Sequence, residues 1–251
     1  FGETAAYIPV FHNEPAPEGL KNKEIYLLDF CFDDKTMKEL VATNKRVTAI
    51  DHHATREAIV KQTQQYSYAL DHSGCVLAWN YFHPKKSTPK LLEYVEDMDL
   101  WAFRVPRAKE IGAFLDSQKR EFNNWTKIVK QIENAETRVT IIKKGELLLE
   151  FEDTLMERMI ATDATPVEFE GYRIFAINSP IFRSKMGNML ATDHPPMSIV
   201  WNDKGDKRIV SLRSIPRFDV EAIAKKYGGG GHKNAAGFTI SINKPTPWKI
   251  F

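Results

Sequence analysis

The triplet Asp51-His52-His53 is the group of side chains in this sequence best suited to chemistry. One carboxylate and two imidazoles suit Mn²⁺, Fe²⁺ or Zn²⁺, and further oxygen ligands shift the preference towards Mg²⁺. Neighbouring side chains of a strand point in opposite directions, so His52 and His53 need not bind the same ion. One can be a ligand while the other contacts substrate or orients a neighbour. An isolated pair of histidines is also compatible with a hydrogen-bonded structural role in a loop.

Acidic residues at the ends of other apolar segments indicate the same kind of site. Asp29 comes near the end of the apolar stretch 24–30, where a carboxylate is costly unless it is paired, hydrogen-bonded or bound to a metal. Asp97 and Asp99 follow a helix-like segment, and either fits as a further ligand. The alternatives are a turn or helix cap for Asp29 and a solvated acidic cluster at the helix end. We expect these acids to lie close to the triplet in the folded chain, and together they predict a divalent metal site.

A run of four glycines, Gly228–Gly231, precedes His232 and predicts a loop that binds phosphate. Glycine permits positive φ and close approach of a ligand, and free backbone amides bind phosphate oxygens. A flexible linker is the alternative, but the small residues that follow favour tight packing. Arg213, at a predicted strand end, offers a planar fork of donors to a phosphate, although an ordinary surface arginine has the same sequence signature.

The elements that position these residues form an α/β pattern. The stretches 24–30 and 46–50 are apolar on both faces and predict parallel strands, separated by a helix over 35–43. Functional groups in such sheets gather at the carboxyl ends of the strands, where Asp29 and the triplet lie. We also predict a strand at 6–11 and helices at 74–82 and 89–95.

The second half of the chain has a different pattern. A long helix over 132–162 carries an apolar stripe, with Gly145 as a weak point, and Pro166 lies just beyond its end. A smaller α/β unit follows, with strands at 167–169, 172–177, 198–201, 208–212 and 238–242 and a helix at 220–227. A glycine-containing hairpin over 202–206 joins two of these strands. We therefore predict domains at 1–131 and 164–251, connected by a helix over 132–163.

Composition limits the possible partners. Lys plus Arg (35) nearly balances Asp plus Glu (33) in the 251 residues, so any basic surface for nucleic acid must be local. No stretch approaches the ~18 apolar residues that a membrane span requires, and no secretory signal is visible. Cys31 and Cys75 lack metal-type spacing and are expected to be reduced. These features predict a cytoplasmic protein.

Two motifs together resemble one family. Asp51-His52-His53 resembles the namesake motif of the DHH phosphoesterases, and residues 229–237 resemble the GGGHxxAAG signature of their C-terminal DHHA1 domain. The motifs occur in the expected order about 180 residues apart, and the resemblance covers nearly the whole chain. This superfamily includes RecJ exonucleases, nanoRNase/pAp phosphatases and phosphodiesterases of linear or cyclic dinucleotides. The resemblance implies a doubly wound, mainly parallel DHH sheet joined by a long helix to a smaller DHHA1 substrate domain across a cleft.

The resemblance also implies roles for individual residues. Asp29 is similar to the acid that bridges two Mn²⁺ or Mg²⁺ ions, and His52 to a metal ligand. Asp51 and His53 would support metal or substrate as further catalytic residues. The family's fourth conserved motif contains a further acid. It matches Asp97 if the residues before it are aligned with the family helix, and Asp99 if the residues after it are aligned instead. The substrate-binding residues implied are Gly229, Gly230, Gly231, His232 and Arg213.

One family feature has no counterpart in the sequence. The first metal motif, a His and two Asp after the first strand, is absent, and His12-Asn13-Glu14 does not reproduce it. Because Phe1 is not an initiator methionine, we expect this motif to have been truncated rather than lost in evolution. The chain as written would then be inactive even if its parent is an enzyme.

We predict a metal-dependent phosphodiesterase or phosphatase that hydrolyses short single-stranded oligonucleotides, linear or cyclic dinucleotides or nucleotide phosphates with two metal ions. A homodimer is compatible with the sequence. Trp101 and Phe182 are candidates for base stacking, although core packing is the expectation for each. The rival hypothesis is a catalytically inactive nucleotide-binding or regulatory protein of the same fold. Polyphosphate or pyrophosphate hydrolysis is a weaker alternative, since those relatives usually carry a different C-terminal domain.

Overall fold

The computed structural model describes residues 2–11 and 14–251. Contacts divide the chain into two compact units, one ending at Glu146 and the other beginning at Leu147. His12 and Asn13, where the sequence departs from the family's first metal motif, lie outside the described residues. Within the described part of the chain, no helix combines the length and apolar character needed to cross a membrane. Cys31 and Cys75 are both free thiols.

The first unit contains a parallel sheet in the order β1-β2-β3. Its strands are β1 (Glu24–Leu28), β2 (Arg46–Asp51) and β3 (Gln65–Tyr68), connected by α1 (Asp34–Thr43) and by a 3₁₀ turn followed by α2 (Glu57–Val60). The central strand is buried from its second residue onwards because it has a neighbour on each side and helices packed against it. Asp51 is the last residue of this strand and is buried, so a carboxylate lies in the interior at the carboxyl end of the central strand.

Five further helices follow the sheet. They are α3 (Gly74–Phe82), α4 (Lys90–Asp99), α5 (Ala108–Asp116), α6 (Phe122–Glu133) and α7 (Ala135–Asp163). Ser73 caps α3, since its hydroxyl accepts a hydrogen bond from the Val76 N–H at 3.4 Å. Apolar side chains of α4, α5, α6 and the start of α7 form one core, which includes Leu91, Ile111 and Ile128.

The second unit contains a mixed seven-stranded sheet in the order β10-β4-β5-β6-β7-β9-β8. Only the β5–β6 pair is parallel. Apolar side chains of α9 pack into one core of the sheet and those of α8 into another. The strands are β4 (Thr165–Phe169), β5 (Tyr172–Asn178), β6 (Met197–Lys204), β7 (Lys207–Ser214), β8 (Gly230–His232), β9 (Ala235–Ser241) and β10 (Lys249–Ile250), with α8 (Arg183–Asp193) and α9 (Val220–Lys226) between them.

The predicted α/β class is confirmed, but several elements differ from expectation. The predicted strand at 6–11 is wrong, because this segment pairs with no described strand and leaves Tyr7, Ile8 and Phe11 more than half exposed. The long helix begins at Ala135 rather than Ile132, since the backbone is extended at the intervening Asn134. The elements not predicted from the sequence are α2, β3, α5, α6, α8 and β10.

The glycine-rich segment is partly a strand rather than a free loop. Gly230–His232 form β8, which pairs antiparallel with β9 through a turn at Lys233 and Asn234. The side-chain amide of Asn234 donates to Ser214 Oγ at 2.9 Å and to the Ile215 carbonyl at 2.8 Å, which ties the turn to the end of β7. The predicted hairpin at 202–206 is present, with its turn confined to Gly205 and Asp206.

Candidate functional site

Asp29 lies directly after β1 in a backbone conformation that few residues adopt. Its φ is +56°, a left-handed value that aspartate tolerates better than most side chains. Its N–H donates to the Ile50 carbonyl at 2.8 Å, so the residue stays attached to the sheet. The carboxylate meets the first residue of α3, where a Cβ added to Gly74 would lie 2.5 Å from Asp29 Cβ and 2.6 Å from Cγ. Only glycine at position 74 leaves this carboxylate room.

His52 is buried between two carboxylates. Its Nε2 lies 3.3 Å from Asp29 Oδ1 and 3.3 Å from Asp99 Oδ2, while the side chain is only 4% exposed. The hydrogen bond to Asp29 raises the pKa of His52 above its ordinary value, and the charges of Asp99 and Asp29 add to this effect against the opposing effect of burial. Two acids converging on one buried imidazole create an anionic pocket that favours a cation.

Asp51 orients both histidines of the triplet. Its Oδ1 accepts hydrogen bonds from the His52 N–H at 2.7 Å and the His53 N–H at 3.1 Å, and it lies 2.6 Å from His53 Nδ1. Burial acts to raise the pKa of Asp51, but the hydrogen bond and charge of the His53 ring outweigh it, and the pKa is lowered. A carboxylate on Nδ1 leaves Nε2 of His53 as the atom that can bind an ion.

These residues fit a divalent cation. Ligand atoms of Asp29, His52 and His53 all lie within 4.8 Å of one another. In the described part of the chain, the buried Oδ2 of Asp51 has no hydrogen-bond partner, an unusual state for a buried carboxylate oxygen. With Asp99 the donor set is two carboxylates and two imidazoles, which suits Mn²⁺ and similar ions.

The structure separates the two candidate acids of α4. Asp99 faces His52, whereas the buried Asp97 uses both carboxylate oxygens to accept backbone N–H groups, from Arg104 at 2.8 Å and Val105 at 3.1 Å. Asp97 is therefore not brought to the cluster. It holds the loop that follows the helix.

Glu96 belongs to the acidic cluster at the end of α4, for which a solvated helix end was the alternative, and it supports the site. Its Oε2 accepts hydrogen bonds from the Ser73 N–H at 2.8 Å and lies 3.1 Å from His72 Nδ1. Glu96 and Asp99 are three residues apart and so share one face of α4. That face therefore holds the start of α3 in place and presents a carboxylate to His52. The i, i+3 spacing was the signal that could have revealed this pairing.

In the second unit, Arg213 and His232 lie in one row across three strands. Arg213 pairs with Ala235, and Ala235 pairs with His232, so the three side chains project from the same face of the sheet. The Arg213 guanidinium donates to the Leu212 carbonyl at 2.8 Å and to Ser184 Oγ at 2.6 Å. Burial lowers its pKa, and none of the ion pairs formed by the described residues involves it.

The glycines of the β8 segment have different local roles. A Cβ at Gly229 would collide with the Gly237 carbonyl and lie 2.7 Å from Phe238 Cβ. Gly231 has φ +144°, and a Cβ there would lie 2.5 Å from the Ala235 carbonyl oxygen. Packing against β9 therefore requires both. Gly230 has nothing within 4 Å of an added Cβ among the described residues, so its exposed backbone is open to approach.

Comparisons with known proteins agree with this architecture. Residues 174–245 match the family model described as the DHHA1 domain. The chain is 29% identical to "Uncharacterized protein R106" of Acanthamoeba polyphaga mimivirus, over 94% of this chain and 59% of that protein. It is 24% identical to "Oligoribonuclease NrnB" of Bacillus subtilis (strain 168), over 91% of this chain and 62% of that protein. The chain thus spans about three fifths of the length of these curated relatives.

A solved structure described as the DHH domain of a member of the s1p family of ribosomal proteins shares the fold. It is 15% identical and matches with a TM-score of 0.55, over 90% of this chain and 65% of that one. The DHHA1 match, the similarity to an oligoribonuclease and the DHH-type fold agree with the two sequence motifs. Residues 174–245 carry a DHHA1 domain, and these similarities together support a DHH/DHHA1 phosphoesterase family member.

Proposed function

We propose that this protein is a metal-dependent phosphodiesterase that acts on short oligonucleotides or dinucleotides. The observation that carries the proposal is the position of His52 Nε2, 3.3 Å from both Asp29 and Asp99. Two partly exposed acids that converge on one buried imidazole supply carboxylate and imidazole donors that suit a divalent cation. The DHHA1 match and the similarity to an oligoribonuclease support phosphoryl chemistry at this site.

Four residues would hold Mn²⁺ or Mg²⁺ in this proposal: Asp29, His52, His53 and Asp99. We propose two ions in the complete site, and when bound they supply charge stabilisation and activation of water for attack on phosphorus. Asp51 fixes the ring of His53 and the backbone of both histidines through one oxygen atom. Glu96 and Gly74 keep α3 against Asp29, so the carboxylate is positioned before any ion binds.

Arg213, His232 and the open backbone at Gly230 would bind the substrate phosphate or terminal nucleotide. Among the residues that the structure describes, the Arg213 guanidinium forms no ion pair with a carboxylate, and the small side chain of Ala235 lies between it and His232 in the row. The near balance of 35 basic and 33 acidic residues argues against a long polyanion track. A relative named for oligoribonuclease activity also supports short RNA as the substrate.

The test is Mn²⁺-dependent hydrolysis of pApA and of 5′-labelled RNAs of two to five nucleotides. The chain and the longest form that its gene encodes are compared with His52→Ala and with His83→Ala, a control histidine that packs against the Trp79 ring at the end of α3. We expect activity that is lost in His52→Ala and retained in His83→Ala. Saturable nucleotide binding without turnover by any form would refute the enzyme and support the regulatory alternative.

A further inference from the structure

The loop after α4 contains three residues whose backbone lies in the left-handed region, which residues other than glycine rarely adopt. Trp101, Phe103 and Arg107 have φ values of +55°, +49° and +70°. Left-handed backbone at a bulky residue is a true outlier, and such conformations persist only where surrounding contacts enforce them. Strained loops of this kind are concentrated at ligand-binding sites.

Asp97 enforces this conformation. Its carboxylate accepts hydrogen bonds from the Arg104 and Val105 N–H groups, and its carbonyl accepts the Ala102 N–H at 2.9 Å. Phe103 packs edge-on against the indole of Trp101, with a centroid distance of 4.9 Å and an interplanar angle of 76°. A buried acid and an aromatic contact thus hold Trp101 in a fixed place.

Core packing does not explain this tryptophan. Trp101 is 49% exposed, although the loop that carries it is pinned to a buried residue. Phe182, the other aromatic residue considered for stacking, packs instead against the core beneath α8. Trp101 follows Asp99 by two residues, so its Cα lies within about 7 Å of the Asp99 Cα. Asp99 in turn faces His52.

We propose that Trp101 is the stacking surface for a nucleobase adjacent to the phosphodiester held at the candidate metal site. This inference rests on the proposed function and deepens it, because it makes the substrate a nucleotide rather than an inorganic polyphosphate. Indole stacks on any base without selecting its hydrogen-bonding edge, so recognition would depend on the presence of a base and only weakly on its identity.

The experiment measures binding of pApA and of its abasic dinucleotide analogue, with Ca²⁺ in place of Mn²⁺ to slow turnover. The variants are Trp101→Ala, Trp101→Phe and, as a control, Tyr66→Ala, which removes another aromatic residue of the first unit that is 49% exposed. We expect Trp101→Ala to weaken pApA binding roughly 5- to 150-fold. Binding of the abasic analogue should change by no more than about twofold. Trp101→Phe should recover most of the loss, and Tyr66→Ala should behave as wild type.

Three outcomes would overturn the inference: equal losses for both ligands in Trp101→Ala, no loss for either, or a wild-type protein that binds the abasic analogue as tightly as pApA. Parallel Mn²⁺-dependent hydrolysis separates the two proposals. Hydrolysis of pApA with no base-dependent effect of Trp101→Ala refutes only the stacking role. Base-dependent binding through Trp101 without hydrolysis refutes only the phosphodiesterase.

Discussion

Replacing Gly74 with alanine should damage the candidate metal site while leaving the fold largely intact. The added Cβ would lie 2.5 Å from Asp29 Cβ and 2.6 Å from Asp29 Cγ, about 1 Å closer than a normal carbon–carbon contact. Asp29 cannot retreat freely, because its N–H is bonded to the Ile50 carbonyl. The carboxylate must therefore move away from its present position beside His52.

The expected loss follows from that displacement. Shifts of about 1 Å at a functional group, or loss of a residue that orients a metal ligand, typically reduce activity or metal affinity about 10- to 100-fold. Overpacking costs about 1–3 kcal/mol, and the better helix propensity of alanine offsets up to about 1 kcal/mol of this. We expect Mn²⁺ affinity to fall by about 10- to 100-fold and the free energy of unfolding by no more than about 3 kcal/mol.

Isothermal titration with Mn²⁺ and urea unfolding measure the two quantities separately. Gly112→Ala is the matched control, because its added methyl would press on Met98 Sδ, the flexible part of a side chain that can turn away. The control should bind Mn²⁺ as wild type does. If Gly74→Ala folds and binds Mn²⁺ as tightly as wild type, the reasoning that Gly74 positions Asp29 is refuted.

Three further predictions test other parts of the molecule. Asp99→Asn should weaken Mn²⁺ binding with little effect on unfolding, whereas Asp97→Asn should lower the free energy of unfolding by about 1–3 kcal/mol in urea titrations, because one backbone N–H loses its acceptor. Gly230→Ala should leave the melting temperature unchanged but raise the KM for pApA roughly tenfold, since the methyl enters open space above the proposed substrate surface. Burial is the largest reason why the pKa of Tyr227 is raised to about 12, and the hydrogen bond and charge of Glu170 add to it, so Glu170→Gln should lower this pKa only in part, as measured by ultraviolet titration. Hydrogen bonds from Lys226 and Tyr227 lower the pKa of Glu170 in the folded protein. The contribution of Glu170 to the free energy of unfolding should therefore be complete above about pH 4.5 and disappear as the pH falls through the folded pKa of Glu170. The Glu170→Gln protein should lack this loss.

Each of these has a contradicting result. Equal effects of the two α4 substitutions on metal binding would show that the carboxylates are not functionally distinct. A Gly230→Ala protein with unchanged KM would remove that backbone from the substrate surface. A Glu170→Gln protein that loses stability on acidification as wild type does would show that another group is responsible.

Residues at strand ends were predictable from the sequence. Asp29 and the triplet follow apolar stretches, and the carboxyl ends of neighbouring parallel strands meet at one edge of a sheet. The choice between Asp97 and Asp99 was not predictable, because both end the same helix and only its packing decides which of them faces His52. Gly74 carries no local signal for its role, which arises from a contact with a residue 45 positions away.

Several elements were missed for physical reasons. β3 has the sequence QYSY, which alternates polar residues with tyrosines but is only four residues long and lacks the continuous apolar run of a buried strand. Helices α5 and α8 begin after Arg107 and Phe182, which have left-handed backbones and provide no side-chain cap, so the usual start signals are absent. The apolar stretch at 6–11 resembled a strand but has no described partner, and strand formation depends on pairing.

The central proposal is that Asp29, His52 and Asp99 are ligands of the same divalent ion, one of the two proposed for the site. The most direct test is an anomalous difference map from crystals grown with Mn²⁺, collected above and below the manganese edge. We expect a peak at bonding distance from His52 Nε2 and from at least one oxygen of Asp29 and Asp99, and no such peak in His52→Ala crystals. A manganese peak elsewhere, or none at this position at saturating Mn²⁺, would contradict it.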